Sequence, residues 1–260
     1  MEIIESLKLE ASEICWMLPK YKFEDSSIDK YVPLLLSDGI CVIENFIDQS
    51  LCEFLVHKAN HIIENRNQFV SFESNDTDKR IYGIDRLDES FRLDDEMKLA
   101  HTISTKFYRA RNPDWFQMLG NITYAPNNQG SGSGWHRDSR YSHQFKAIIY
   151  LSDVTDESGP FEYFKGSHLK ESLNNTADFL GVSKKAYRFE DEQVDHLEAS
   201  GILSKRTTVK GGKGTVVLAD TRGLHRGKPL LEGERWALTR YYFERQIPKH
   251  FASKYPALEE

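Results

Sequence analysis

The sequence has few cysteines and no long apolar run, and each absence excludes a class of protein. Cys15, Cys41 and Cys52 are odd in number and show no Cys-x-x-Cys spacing, so neither a disulfide framework nor a zinc ribbon is expected, and buried free thiols are predicted instead. No segment approaches the roughly 20 apolar residues of a membrane-spanning helix, so no membrane partner is expected. The acid-rich N-terminal segment lacks the basic and then apolar pattern of a signal peptide, which predicts a cytoplasmic protein.

The sequence also lacks an excess of positive charge. It contains 34 lysines and arginines against 40 acidic residues, which gives a formal net charge of −6. A nucleic-acid-binding protein usually carries a strongly basic face, so nucleic acid is not expected as a partner. Aromatic residues make up 12% of the 260 positions, which is typical of a folded core rather than of a disordered chain. A small-molecule ligand is therefore the expected partner.

The first part of the chain combines helical and polar segments. Apolar residues spaced by three and four predict an amphipathic helix over residues 1–18. Residues 31–55 predict a helix, a strand and a second helix capped by Asp48. The charged loop Ser74–Arg80 is interpreted as solvated surface, and a further helix is expected over about 94–108.

After residue 113, short β-prone runs alternate with glycine- and asparagine-rich turns, a spacing typical of a sandwich or barrel. We expect a helical part, about 1–112, to buttress a β core over about 113–245, in a single domain spanning 1–260. Residues 169–205 are polar and predict an insertion between strands. The expected fold class is α+β and mainly β. The predicted strands are Leu119–Ala125, Phe145–Leu151, Phe161–Phe164, Thr207–Val209, Gly214–Ala219 and Arg235–Phe243.

The strongest local motif is His136-Arg137-Asp138, which follows a loop rich in glycine and serine. Side chains two residues apart on a strand point to the same side, so the imidazole of His136 and the carboxylate of Asp138 are expected to converge. His225 follows a later apolar strand and is the candidate for a third ligand. Two histidines and one carboxylate on one face of a metal are typical of non-haem Fe(II) oxygenases.

Ten residues after His225, Arg235 begins a strand rich in aromatic residues. A guanidinium matches a carboxylate in two parallel hydrogen bonds, so Arg235 is the candidate anchor for a dicarboxylate cosubstrate. The alternative for Arg235 is an ordinary surface ion pair. His168, in the segment Gly166-Ser167-His168, is interpreted as a structural histidine.

Four blocks in this order resemble the phytanoyl-CoA dioxygenase family of Fe(II)/2-oxoglutarate-dependent oxygenases. The blocks are Leu34–Phe46, Trp135–Asp138, Gly159–His168, and His225 with Arg235. The resemblance implies a double-stranded β-helix, or jelly roll, whose mouth holds Fe(II), with 2-oxoglutarate and O2 as cosubstrates. His136, Asp138 and His225 match the iron ligands of the family, and Arg235 matches the arginine that binds the distal carboxylate of 2-oxoglutarate.

The resemblance also implies which residues line the cosubstrate pocket. Tyr150 falls near a family position that lines that pocket, and Thr123 or Tyr124 falls near another. Many relatives have a hydroxyl two residues after the arginine, where this sequence has Ala237. Thr239 faces the same side of the strand and is the candidate to replace it. Some relatives use a lysine on the strand before the His-x-Asp motif, and this sequence has none there.

The implied reaction is oxidative decarboxylation of 2-oxoglutarate, with release of succinate and CO2, coupled to hydroxylation of a C–H bond. Two alternatives are a cupin-like metal enzyme that works without 2-oxoglutarate and a non-catalytic jelly-roll binding module. The carboxylate of Asp138 argues against a related halogenase, in which a small residue takes this position.

Several basic and aromatic residues lie within a few positions of the candidate ligands. They suggest a rim that selects an anionic or sugar-like metabolite. The alternatives are solvated loop charges paired with nearby acids and, for the aromatic residues, core packing. The candidates for substrate binding are Trp135, Arg137, Arg140 and Arg226.

Overall fold

The computed structural model describes residues 26–73, 76–108, 113–138, 144–204, 206–244 and 246–255. The amphipathic helix expected over residues 1–18 lies outside these ranges. The helices within them are α1 Ser26–Ser37, α2 Gln49–Asn65, α3 Ile84–Leu87, α4 Lys98–Tyr108, α5 Lys170–Leu180, α6 Asp191–Ala199 and α7 Lys249–Ala252. None of these helices has both the length and the apolar character needed to cross a bilayer.

The strands lie mainly in the second part of the chain. They are β1 Ile40–Ile43, β2 Ser71–Glu73, β3 Asp78–Tyr82, β4 Asp114–Thr123, β5 Trp135–His136, β6 Gln144–Tyr150, β7 Phe161–Phe164, β8 Arg188–Phe189, β9 Arg206–Val209, β10 Val216–Asp220, β11 His225–Gly227 and β12 Glu234–Phe243. Every predicted strand after residue 113 is present, with bounds that shift by a few residues in most cases.

These strands form two antiparallel sheets. The larger sheet has seven strands in the order β1-β10-β6-β12-β4-β3-β2, and the smaller has five in the order β8-β5-β11-β7-β9. Most neighbouring strands are distant in sequence, so long connections cross between the sheets. This arrangement is the expected jelly roll.

Successive side chains of a strand alternate in direction, and this alternation determines which side chains of the larger sheet contact the helices. On β12, Trp236, Leu238 and Tyr242 are buried in an apolar cluster that also contains side chains of α1, α2 and α4. The intervening residues of β12 face the smaller sheet, because successive side chains of a strand point to opposite faces. Burial of this apolar face stabilises the fold, and the predicted buttress of N-terminal helices is confirmed.

The helix, strand and helix predicted over residues 31–55 are present, whereas the next predicted helix begins later than expected. Asp48 occupies the N-cap position of α2, although its side chain makes no capping hydrogen bond. The helix expected from about residue 94 begins at Lys98. Leu93 has a left-handed φ of 49° and residues 94–97 form turns, so helical backbone starts only after them.

The interpretation of Ser74–Arg80 as solvated surface is wrong for its last residues. Asp78 and Arg80 lie on β3 and are only 1% and 9% exposed. Nη2 of Arg80 lies 2.6 Å from Oδ2 of Asp78. Because β3 pairs with β4 within the larger sheet, both side chains can face the space between the sheets.

The insertion predicted over residues 169–205 contains α5, β8 and α6. Val194 and Leu197 of α6 belong to an apolar cluster with Trp135. β8 pairs with β5 at the edge of the smaller sheet and places Arg188 opposite His136. The insertion therefore extends the sheet that carries the His-x-Asp motif.

His168 connects the loop after β7 to the end of α1. Its Nε2 lies 3.2 Å from the carbonyl oxygen of Leu36, and the imidazole packs against Gly39. Gly39 has a φ of 79°, and a Cβ there would lie 2.5 Å from Nδ1 of His168, so the position requires glycine. His168 is 2% exposed, which fits the structural role expected for it.

Leu238→Ala should destabilise the protein by about 2–5 kcal/mol, because it empties a buried position between the helices and the larger sheet. Leu231→Ala is the matched control. This leucine is 60% exposed, and its loss should change the free energy of unfolding by less than about 0.5 kcal/mol. Urea denaturation followed by circular dichroism measures both variants, and equal effects would contradict the packing of β12.

The buried His168 predicts a loss of stability in acid. Burial lowers its pKa below the ordinary value of 6.5, despite the opposing charge of Asp220. As the pH falls below about 6.5, the unfolded chain takes up a proton that the folded protein does not. The free energy of unfolding should therefore fall by up to about 1.4 kcal/mol per pH unit for this histidine.

Urea midpoints across this pH range test the assignment. His168→Gln should reduce the dependence of the free energy of unfolding on pH, because glutamine takes up no proton. His250→Gln replaces an exposed histidine and should keep the wild-type slope. A slope in His168→Gln as steep as in the wild type would show that other groups cause the acid sensitivity.

Candidate metal centre

The pairing of two short strands brings the three predicted ligands together. β11 pairs with β5 so that His225 lies directly opposite His136. Asp138 follows His136 by two residues, and the candidate ligand atoms of all three side chains lie within 4.8 Å of one another. Nε2 of each histidine is 3.8 Å from a carboxylate oxygen of Asp138.

Backbone carbonyls orient both imidazoles. Nδ1 of His136 lies 2.9 Å from the carbonyl oxygen of Gly134, and Nδ1 of His225 lies 2.8 Å from that of Gly223. Because a carbonyl oxygen only accepts, each Nδ1 carries a proton and donates it. Each neutral ring therefore keeps the Nε2 lone pair for a ligand near Asp138, as metal-binding histidines do.

The protonation states of the three groups also suit a cation. Burial lowers the pKa of His225 to about 3, with a further contribution from His136, and burial lowers the pKa of His136 as well. Burial alone would raise the pKa of Asp138, but the charges of Lys146 and the two histidines outweigh it and hold that pKa well below its usual range. At neutral pH the site offers two neutral imidazoles and one carboxylate, a donor set that fits a divalent metal ion.

A tight glycine turn holds the first histidine in place. Gly132 has a φ of 83°, and a Cβ at this position would lie 2.2 Å from Cε1 of His136. No residue other than glycine fits this approach without displacing the imidazole. The glycine-rich loop before the His-x-Asp motif is therefore part of the site.

The three side chains open into a cavity of about 230 Å³ between the two sheets. One wall is formed by alternate residues of β12 and β6, which are neighbours in the larger sheet. The residues of this wall are Arg235, Ala237, Thr239 and Tyr241 from β12, and Lys146, Ile148 and Tyr150 from β6.

Arg235 enters this cavity as a buried cation. It is 6% exposed, and burial lowers its pKa. A Cβ at Gly227, two residues after His225, would lie 3.0 Å from Nη2 of Arg235, so the arginine reaches the strand that carries the second histidine. No side-chain hydrogen bond or ion pair holds its guanidinium among the described residues. Such a group favours the binding of an anion.

The sequence profile of the phytanoyl-CoA dioxygenase (PhyH) family matches residues 35–231, which is more than half of the chain. The chain belongs to the phytanoyl-CoA dioxygenase family. The matched range includes His136, Asp138 and His225 and ends shortly before Arg235. The predicted class of enzyme, a non-haem iron- and 2-oxoglutarate-dependent oxygenase, is confirmed. No curated protein matches the sequence.

Solved structures agree with this fold. EctD from S. alaskensis, with bound Fe, has a TM-score of 0.66 at 15% identity over 92% of this chain and 89% of its own. The epimerase SnoN from nogalamycin biosynthesis, in complex with Fe3+, alpha ketoglutarate and nogalamycin RO, has a TM-score of 0.63 at 11% identity over 84% of each chain. HygX from Streptomyces hygroscopicus, with nickel and 2-oxoglutarate, has a TM-score of 0.56 at 16% identity over 82% of this chain and 86% of its own. At these identities the similarity concerns the fold.

Besides Arg235, two residues predicted for the cosubstrate pocket of this PhyH-family protein line the cavity. Thr239 faces it from β12 and is 5% exposed. Tyr150 faces it from β6, but its hydroxyl already donates to the carbonyl oxygen of Val209 at 2.9 Å and accepts from the amide of Phe161 at 3.2 Å. Tyr150 therefore contributes its ring to the wall, while its hydroxyl joins β6 to the smaller sheet.

Thr123 and Tyr124 do not line the cavity, and the prediction is wrong for both. Ile122 of β4 faces the cavity, so Thr123 points to the other side of the strand. Tyr124 follows the end of β4 and is 49% exposed. The family position matched by Thr123 or Tyr124 therefore falls beyond the part of β4 that lines the cavity.

Trp135, Arg137 and Arg226 turn away from the cavity, so the prediction that they bind substrate there is wrong. They alternate with the candidate ligands along the chain, and neighbouring strand residues point to opposite faces. Nη1 of Arg137 donates to the carbonyl oxygen of Ser167 at 2.6 Å, and the guanidinium of Arg226 lies 4.4 Å from the centre of the Trp135 ring. Arg140 lies outside the described residues.

Sequence reasoning missed four charged residues that line the cavity: Asp78, Arg80, Lys146 and Arg188. Nζ of Lys146 lies 2.7 Å from Oδ2 of Asp138. A lysine near the start of the otherwise apolar run Phe145–Leu151 is a signal that could have found it, since an unpaired charge is costly inside a sheet. Asp78 and Arg80 are two residues apart and share one face of a strand. This spacing is not distinctive in the sequence, because the neighbouring residues are also charged.

Replacement of His225, His136 or Asp138 by alanine should weaken metal binding more than about 100-fold. Loss of an outer-shell partner alone typically costs about 10–100-fold, so loss of a ligand costs more. Calorimetric titration with Co(II) measures the affinity. His168→Gln is the matched control, because this buried histidine lies outside the cluster and its loss should leave the affinity unchanged. Wild-type affinity in His225→Ala would disprove the ligand assignment.

Proposed function

We propose that the protein hydroxylates a C–H bond of a small molecule, with O2 as oxidant and conversion of 2-oxoglutarate to succinate and CO2. The observation that carries this proposal is one cavity in which two neutral imidazoles and a carboxylate converge beside the buried guanidinium of Arg235. Membership of the phytanoyl-CoA dioxygenase family supports the same reaction class.

His136, Asp138 and His225 are the residues that would hold Fe(II), through Nε2, a carboxylate oxygen and Nε2. When bound with 2-oxoglutarate and O2, the iron supplies the oxidising power of the reaction. The chain's own part is to hold three ligands on one side and to leave the side that faces the cavity free for cosubstrate and substrate.

Arg235 is the proposed partner of the distal carboxylate of 2-oxoglutarate. A buried cation without an ion-pair partner in the described ranges is stabilised when a carboxylate enters beside it. Thr239 lies on the same wall and offers a hydroxyl. Burial raises the pKa of Tyr150 to about 12, so its phenol stays protonated and adds no negative charge beside the arginine.

Small side chains leave room for the cosubstrate. Ala237 pairs with Gly120 across β12 and β4, and both residues line the cavity. A Cβ at Gly120 would have a single neighbour within 4 Å, the carbonyl oxygen of Ala237 at 3.9 Å. The missing hydroxyl at Ala237 therefore coincides with free volume beside Gly120 in the cavity.

The alternatives account for fewer of these features. A cupin-like metal enzyme without 2-oxoglutarate would leave Arg235 without a task, and a binding module would leave the oriented imidazoles without one. The similar structures include the epimerase SnoN and the carbocyclase SnoK, so this fold serves more than one reaction outcome. Hydroxylation is proposed here because the matching family is described by its dioxygenase activity.

Anaerobic titration with Fe(II) and then 2-oxoglutarate tests the proposal. Ferrous iron chelated by a 2-oxo acid gives a weak visible charge-transfer band, which the wild type should show and His225→Ala should not. Arg235→Ala should keep its affinity for Fe(II) but need roughly 10- to 100-fold more 2-oxoglutarate, because a charge-assisted contact is lost.

Arg92→Ala is the matched control, since this side chain is 51% exposed and lies outside the cavity lining. The Arg92→Ala variant should bind Fe(II) and 2-oxoglutarate with wild-type affinity and show the charge-transfer band. Iron binding without the band would favour the cupin-like alternative, and absence of iron binding would favour the binding module.

A further inference from the structure

The lining of the cavity carries more positive than negative charge. Among the described residues that form it, the cationic side chains are Arg80, Lys146, Arg188 and Arg235, and the acidic ones are Asp78 and Asp138. A divalent metal ion and dianionic 2-oxoglutarate cancel each other's charge. The positive surplus therefore remains in the loaded cavity, where the low dielectric makes it effective.

Three of these cations already have a task. Arg80 is paired with Asp78, with Nη2 and Oδ2 2.6 Å apart, and a further hydrogen bond of 3.0 Å joins Nε to Oδ1. Lys146 is paired with Asp138 at 2.7 Å. In the proposed function, Arg235 binds the distal carboxylate of 2-oxoglutarate. This leaves Arg188, which forms no ion pair within the described ranges.

Arg188 is held rigidly beside the site. It lies on β8 of the insertion, opposite His136 on β5. Its Nη1 donates to the carbonyl oxygens of Gly132 and Ser133, at 2.7 and 3.1 Å. A guanidinium has five N–H donors, so Nε and Nη2 keep three of them for a ligand. Because the side chain is already fixed, little conformational entropy is lost when a ligand binds.

Arg188 also lies at the accessible end of the cavity. It is an exposed residue, whereas Arg80 and Arg235 are buried. A substrate entering from solvent therefore meets this guanidinium before it reaches the candidate metal ligands.

On the basis of the proposed function, we propose that the substrate carries an anionic group, a carboxylate, sulfate or phosphate, and that Arg188 binds this group at the mouth of the cavity. The planar guanidinium offers two parallel donors to the oxygens of such a group. The residue that selects the substrate thus comes from the insertion, while the strands of the two sheets supply the metal and cosubstrate sites.

Binding of inorganic phosphate is the first test. The protein is loaded with Zn(II) and 2-oxoglutarate, so that Arg235 is occupied, and is titrated with phosphate by calorimetry. Arg188→Gln should weaken phosphate binding roughly 10-fold or more, because the charge is lost while an amide donor to the loop carbonyls remains. Arg188→Lys keeps the charge without the fork and should bind with intermediate affinity.

Arg92→Gln removes an exposed arginine outside the lining and should bind phosphate as the wild type does. The dissociation constant of 2-oxoglutarate is measured for every variant. A wild type that binds no phosphate, or an Arg188→Gln variant that binds it equally well, would overturn the proposal. An equal loss of 2-oxoglutarate and phosphate binding would also overturn it, since Arg188 would then only hold the Gly132–Ser133 turn.

Turnover provides a second test with matched compounds. Small carboxylates and phosphate monoesters are compared with their neutral methyl esters and parent alcohols as stimulators of succinate formation. The anionic member of each active pair should stimulate, and Arg188→Gln should raise its half-saturating concentration roughly 10-fold or more. Equal stimulation by the neutral member would refute the role of Arg188. A wild type without the charge-transfer band would refute the proposed function instead, so the two failures are distinguishable.

Discussion

The antiparallel contact of β5 with β11 is the interaction on which the rest of the site depends. It sets His136 opposite His225, and the register brings Asp138 to the same side. A shift by one residue would turn all of these side chains to the other face, because the side-chain period of a strand is two. Both strands are very short, so their register must be held by what surrounds them: the glycine turn against His136, the carbonyl of Gly223 and the packing of the insertion.

The second constraint is the management of buried charge. The cavity lies between two sheets, and ions buried there are costly unless they are paired. The pairs of Arg80 with Asp78 and of Lys146 with Asp138 satisfy this condition within the chain. Arg235 does not satisfy it in the described ranges, and this imbalance distinguishes a binding site from an ordinary structural ion pair.

The jelly roll was implied by the family resemblance, whereas the residues themselves predicted a sandwich or barrel, the helical buttress and the convergence of His136, Asp138 and His225. These features follow from local signals: the period-two pattern of strands, the order of elements and a short motif with defined spacing. The N-cap at Asp48 and the bounds of β7 are similarly local.

The failures have a common physical origin. Proximity along the chain to the candidate ligands favours Trp135, Arg137 and Arg226 as site residues, although adjacent strand residues face opposite ways. Lys146 and Arg80 contact the site only through pairings between strands far apart in sequence, which no local pattern encodes. Arg188 lies on a two-residue strand within a polar insertion, where periodicity carries almost no information.

The edge position of β8 has a consequence for the evolution of such enzymes. The strand belongs to a segment connected to the core by the ends of residues 169–205, and it meets the smaller sheet through β5 alone. Exchange of this segment would alter the shape and charge of the entrance while β11, β12 and β6 keep their pairings. The same chemical core can thus diversify its choice of ligand by replacement of this segment, provided that the replacement keeps the packing against Trp135 that helps to hold β5 in register.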